Sequence, residues 1–179
     1  MPTSSPPSVW TTIVEEAARE SRLWGDALRV PAEREQEPVF SPLGEERYAL
    51  GLETIYEGYL LHYGRPRLFA PADGDTALLL GDYLYAHGLV RIAEVGTVEA
   101  VADLAALISL CAQLRAEETD GDGAAWAATS AVLGESELEH ARAALRNGGD
   151  PSELSELARS AAGAEPVERA LAAHARRVR

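Results

Sequence analysis

Lysine is missing from this chain: all 16 basic residues among its 179 are arginine. We read that mainly as coding composition, since arginine and lysine codons differ in GC content. Positive charge is scarce as well, with a formal net charge of -13. Nucleic acid and anionic lipid surfaces are thereby disfavoured as partners, because both need a clustered basic face. There is a single cysteine, so no internal disulfide can form; Cys111 sits in the apolar run Leu-Ile-Ser-Leu-Cys-Ala-Gln-Leu, the setting of a small core residue and not of a reactive thiol. Aromatic residues make up only 6%. No apolar run approaches the roughly 20 residues that cross a bilayer, so no transmembrane segment is expected. The opening Met-Pro-Thr-Ser-Ser-Pro-Pro has neither a basic nor an apolar leader region, which points to a cytoplasmic protein.

What remains is rich in alanine and leucine, the strongest helix formers and weak strand formers. With 46% hydrophobic residues the chain can bury a real core. The expectation is an all-α fold, a single-domain bundle of about eight helices over residues 9–179, with a disordered Pro/Ser-rich tail over 1–8.

Ser8 is a plausible N-cap for a first helix to about Val30, with Trp10, Ile13, Val14, Ala17, Leu23, Trp24 and Leu28 on one face. Three prolines in residues 31–42 mark a connector. A second helix is expected from Pro42 to about Tyr63, where Gly64 and Pro66 stop it. The third, about 75–95, is expected to pack centrally between the second and a fourth at 98–118. Thr119 to Gly123 reads as a turn, and four shorter helices follow, near 124–133, 135–146, 151–161 and 166–177. Gly81, inside the third helix, needs a packing reason, since glycine there costs up to about 1 kcal/mol relative to alanine.

Motif chemistry is sparse. The four histidines are scattered, His87 reads as a core residue, and Glu137–His140 supplies only one of the two Glu-x-x-His copies that a di-iron bundle requires. No P-loop, dinucleotide fingerprint or nucleophilic triad is present.

One stretch carries more information: Gly64-Arg65-Pro66, a short loop, then Ala77-Leu-Leu-Leu-Gly-Asp-Tyr-Leu-Tyr-Ala86, and later Val95-Gly96-Thr97-Val98. Over about residues 45–135 this resembles the trans-isoprenyl diphosphate synthase (polyprenyl synthetase) family, in which an Arg-Arg-Gly-x-Pro loop precedes a helix marked Leu-x-x-Gly-Asp-x-Leu-x-Ala. AAWAATSAVLG and the C-terminal AAGAEPVERALAAHARRVR resemble later family helices. The resemblance implies a short, isoprenoid-synthase-like helical fold. Counted back from the loop, the family's first Asp-Asp-x-x-Asp motif falls on Glu53-Thr54-Ile55-Tyr56-Glu57. By resemblance, Glu53 and Glu57 are therefore candidate magnesium ligands, and Arg65 and Arg67 candidate diphosphate-binding residues.

Positions 53 and 57 share one helix face. That spacing equally suits a pair of solvated glutamates. The resemblance is also incomplete: His62-Tyr63 replace the paired arginines, the second Asp-rich motif has no counterpart, the diphosphate-holding lysines are absent, and family enzymes usually need a much longer chain. The function implied is the non-catalytic small subunit of a heteromeric polyprenyl diphosphate synthase, with no cofactor or at most residual Mg2+. Its partner would be a catalytic synthase subunit or a second copy of the chain, with prenyl diphosphate as a possible ligand. The alternatives are a weakly active prenyl-diphosphate-binding enzyme and a generic helical interaction module.

Overall fold

A computed structural model describes residues 8–135 and 138–178. Among them are nine α-helices: α1 (Val9–Glu20), α2 (Arg22–Asp26), α3 (Ala49–Tyr63), α4 (Gly74–Val95), α5 (Val98–Ala116), α6 (Asp122–Ala131), α7 (Glu139–Gly148), α8 (Ser152–Ala162) and α9 (Ala164–Ala175). No strand forms among the described residues; two isolated bridges, Leu28 to Phe69 and Gly64 to Val178, tie loops together. The protein is thus an all-α, single-domain bundle. The tail expected to be disordered lies, up to residue 7, outside the described residues.

Local chemistry sets the helix starts. Ser8 Oγ accepts the Thr11 amide at 3.2 Å, Asp73 Oδ1 accepts that of Thr76 at 2.7 Å, and Thr97 Oγ1 that of Ala100 at 3.2 Å. The single helix expected over 9–30 is in fact two. Ser21 adopts extended backbone and its hydroxyl accepts the Leu23 amide at 3.1 Å, so it ends α1 and caps α2. The second expected helix starts later than Pro42, which instead opens a short 3-10 turn, Ser41–Leu43. At Gly44 a Cβ would fall 2.2 Å from the Ser130 carbonyl oxygen, so the chain passes there extended and helical only from Ala49.

α4 packs against both α3 and α5, as the sequence suggested, but the most completely buried helix is α3. Every residue from Gly51 to Leu61 is buried. It is apolar on nearly all sides, the pattern of a helix enclosed by others. Phe40, Tyr56, Tyr59 and Trp126 form the aromatic heart of the main core, with Phe40 stacked on Trp126 at 5.6 Å. The connector also contributes, since Val39, Phe40 and Leu43 are all buried. Its prolines forbid helix but do not keep neighbouring side chains in water. A smaller core of Ile13, Ala17, Leu61, Leu68, Phe69, Leu80 and Leu84 seats α1 against α3 and α4.

α3 and α4 run antiparallel and approach through two glycine pairs, each pair seven residues apart on its helix. A Cβ on Gly51 would lie 3.2 Å from the Gly88 carbonyl oxygen, and one on Gly88 would lie 3.1 Å from that of Gly51. One turn-pair away, a Cβ on Gly58 would lie 2.9 Å from the Gly81 carbonyl oxygen. The packing reason for Gly81 is there too: its missing Cβ would meet the His62 ring at 2.5 Å. Backbone cannot step aside as a side chain can. Gly58→Ala should therefore destabilise the protein by about 1–3 kcal/mol in urea unfolding. Gly74→Ala, with nothing within 4 Å of the added methyl, should be close to neutral; equal effects of the two would refute the close approach.

Candidate functional site

Burial of α3 carries two carboxylates into the protein: Glu53 is 1% exposed and Glu57 is fully buried. Each would cost several kcal/mol there without a counter-charge and hydrogen bonds. Arg67, itself fully buried, supplies both. Gly64 ends α3 by donating its amide to Leu60 O at 2.9 Å, and the chain then doubles back along the helix. Arg67 Nη1 donates to Glu53 Oε2 at 2.6 Å and Nε to Glu57 Oε2 at 2.9 Å. Glu57 Oε1 accepts the amides of Arg67 and Leu68, each at 2.7 Å. Glu53 Oε1 accepts Ser41 Oγ at 2.6 Å and the more distant amides of Val39 and Ser41.

All four carboxylate oxygens are thus engaged. Two further guanidinium protons reach Glu37 O at 3.0 Å and Glu53 O at 3.3 Å, while the rings of Trp10 and Tyr56 lie 4.8 and 5.1 Å from its carbon. Burial alone would make the guanidinium easier to deprotonate, but the two carboxylates overcome that and push its pKa upward.

The structure therefore joins three of the four candidate residues, and in a way that sequence reasoning did not foresee. Glu53 and Glu57 are not the solvated pair that their spacing allowed. Arg67 binds them, whereas the side chain of Arg65 is exposed and its amide donates to Arg177 O at 2.8 Å. A magnesium ion, which wants about six oxygens in octahedral array, could reach this pair only by displacing Arg67 and the amides. Among the described residues, no group of three or more His, Cys, Asp or Glu is arranged to hold a metal.

Thr54, which stands where the family motif has its middle aspartate, turns to the other side of α3. Its hydroxyl accepts from Arg91, which also pairs with Glu16 of α1. His87 is not the core residue expected: its side chain is 32% exposed and Nε2 lies 2.9 Å from Glu16 Oε2. Burial would raise the Glu16 carboxyl, yet the hydrogen bonds from His87 and Arg91 hold it below its ordinary value. These groups, with Leu50, Tyr83 and Val90, line an open cleft of about 500 Å³ between α1 and α4.

A second, partly buried polar network escaped sequence reasoning. Tyr59 donates to Asp122 at the start of α6, and Arg115 donates to both: its Nη2 lies 2.8 Å from the Tyr59 hydroxyl. His174 of α9 lies 3.5 Å from the Asp122 carboxylate and 3.0 Å from the Tyr56 hydroxyl. Desolvation raises Asp122, but hydrogen bonds from His174 and Tyr59 more than reverse it, and its carboxyl is held far below the usual range. The members lie 63 and 52 residues either side of Asp122, or on a neighbouring turn, and no spacing rule connects them. Cys111 is buried with its thiol pKa pushed up by burial, as expected of a core residue. Of the Glu-x-x-His element, Glu137 lies outside the described residues, and the exposed His140 pairs with Glu153 at 3.0 Å.

No family model, curated protein or solved structure matches the chain. The family resemblance accordingly rests on the motif residues alone.

Breaking one side of a buried ion cluster leaves the other charges uncompensated. Arg67→Met should cost about 3–5 kcal/mol in denaturant unfolding, and Arg65→Met within about 0.5 kcal/mol of nothing; similar small losses for both would remove the cluster's structural role. The depressed carboxyls of Asp122 and Glu16 bind protons more readily in the unfolded chain. Their contribution is thus complete above the ordinary carboxylate range and is lost as pH falls. Stability should drop from about pH 5 downward, and Asp122→Asn should flatten that slope in a pH series of urea midpoints. An unchanged slope would show that the network is not linked to folding.

Proposed function

We propose that this chain is a cytoplasmic, non-catalytic helical subunit that associates with the catalytic chain of a polyprenyl diphosphate synthase and alters its product length. The observation that carries the reading is the mutual engagement of Glu53, Glu57 and Arg67. These are the positions at which the motif resemblance would call for magnesium and diphosphate ligands. Ionising an allylic diphosphate demands metal ions bridging the leaving oxygens, and each ion needs several free oxygen donors. Carboxylates already saturated by a guanidinium, a hydroxyl and four amides supply none. Of the two arginines assigned to diphosphate, Arg67 is consumed by the carboxylates and Arg65 is left exposed at the surface. Prenyl diphosphate and magnesium would bind weakly to such an arrangement.

The packing residues of the resemblance are retained in their packing role. Gly81 sits at the α3–α4 contact, and Asp82 beside it pairs with His62 at 3.2 Å. A partner surface depends on such packing, and on buried apolar anchors, more than on the carboxylates of an active site.

The test is product analysis with allylic and isopentenyl diphosphates plus magnesium, using a full-length synthase, this chain, and the two mixed. The expected outcome is no elongation by the chain alone and a changed rate or product length in the mixture. Elongation by the chain alone, or a mixture indistinguishable from the synthase, would refute the proposal. Because Glu53→Ala should unfold the protein, metal binding is better read on the intact chain. Millimolar magnesium should leave its thermal midpoint unchanged, whereas a saturable rise would show a site of real affinity.

A further inference from the structure

The α1–α4 cleft lies on the Thr54 side of α3, apart from the Glu53–Arg67 cluster. The α1–α2 segment runs against α4 there: the Trp24 ring is 5.8 Å from that of Tyr83, whereas the earlier Glu16 pairs with Arg91, two turns further along α4. Arg91 is buried and held in direction. It donates to Thr54, whose own hydroxyl donates to Leu50 O at 2.6 Å, and it donates to Glu16 Oε2. His87 Nε2 lies 2.9 Å from that same oxygen. The other oxygen of Glu16, Oε1, has no hydrogen-bond partner among the described residues. The one buried cation of the cleft is therefore committed, and a carboxylate oxygen beside it is not.

Two more carboxylates, Glu20 and Glu94, line the cleft, are exposed, and form no ion pair among the described residues. Glu20 belongs to the Tyr83 end, where burial and then the charge of Glu20 push the phenol upward. Glu94 stands eleven residues beyond Tyr83 on α4, about 16 Å along the helix axis. Against this pair only Arg19, exposed on the rim, offers an uncommitted guanidinium, so the local balance is negative on a chain of net charge -13. An anion could enter only by taking Arg91 from Glu16, and would then face both rim carboxylates. Between the two ends the walls are apolar: Leu50, the Tyr83 ring, and Val90, which is 54% exposed.

Acceptors at both ends and in the middle, separated by aliphatic and aromatic surface, match a molecule in which ammonium groups alternate with methylene segments. Its charges can donate to carboxylates and lie over the Tyr83 face, while its methylenes cover Val90 and Leu50. A cleft of about 500 Å³ has room for such a chain laid lengthwise.

We propose that the α1–α4 cleft binds a linear polyamine, with its terminal ammonium groups at Glu20 and Glu94 and an inner one at Glu16 Oε1. No residue of this site belongs to the Glu53–Arg67 cluster, so the proposal stands or falls independently of the proposed function.

Calorimetric titration of the intact chain with spermine and putrescine tests it. Spermine should bind at one site per chain and about tenfold or more tighter than putrescine, which can engage only one end. Glu20→Gln and Glu94→Gln should each weaken spermine about fivefold. Glu156→Gln, the same loss of charge on the exposed side of α8, should leave the affinity unchanged. All three substituted side chains are exposed, so the variants should remain folded, as circular dichroism would verify. Equal weakening by all three, or several weak sites per chain, would show only general attraction to an acidic surface and would overturn the proposal. Equal affinity for putrescine and spermine, or no binding of either, would overturn it as well. Free lysine binding more tightly than spermine would assign the cleft to an amino acid, its carboxylate on Arg19, and would also overturn it.

Discussion

A single guanidinium holds together parts of the chain that have no other strong reason to meet. Arg67 bridges two carboxylates on α3, accepts the rings of Trp10 and Tyr56 on its faces, and draws in the Glu37–Ser41 segment through a carbonyl and through the carboxylate of Glu53. Fully buried ions are expensive, and a cluster of this kind stabilises only when its hydrogen bonds are complete. Here completeness comes from backbone: the amides of Val39, Ser41, Arg67 and Leu68 all point at carboxylate oxygens. The loops before and after α3 are thus fixed in register with it.

Around that point the rest of the bundle follows. The Gly51–Gly88 and Gly58–Gly81 contacts bring α4 close against α3 and leave its opposite side outward. α1 covers the Arg67 cluster with Trp10 and reaches α4 through Glu16, so one short helix touches both the buried ion cluster and the open cleft. On the far side of α3, Tyr56 and Tyr59 carry the helix's polar reach to Asp122 and His174 and tie in α6 and α9. Acidic residues that a catalytic reading would place in a water-filled cavity are here internal struts.

Much of this framework was legible beforehand, because local rules decide it. Ser8 and Gly64 end or begin helices through hydrogen bonds made within a few residues, and the alanine and leucine content admits no other secondary structure. The pairing of Glu53 with Glu57 on one face also follows from helical spacing. Their burial does not. Spacing fixes a side chain's neighbours on its own helix, whereas burial depends on what the rest of the chain lays over it. For Glu57 that is Arg67, ten residues on and returning by a tight loop. Asp122, read as part of a turn, is drawn partly out of solvent because α9 packs on α6, and His174 is 52 residues away. The Pro31–Pro42 connector was legible as non-helical, but Phe40's place at the aromatic centre of the core was not, since proline constrains backbone and says nothing about burial.

The central claim is that Glu57 serves as an internal ligand for the Arg67 backbone and side chain, and is not free for metal. Native-state hydrogen exchange of the Arg67 and Leu68 amides tests this most directly. If Glu57 holds both, they should exchange only through global unfolding, at rates unaltered by magnesium with inorganic pyrophosphate. Rapid exchange of these two amides in the folded protein, or exchange that accelerates when magnesium pyrophosphate is added, would show that the carboxylate is available to other ligands and would contradict the account.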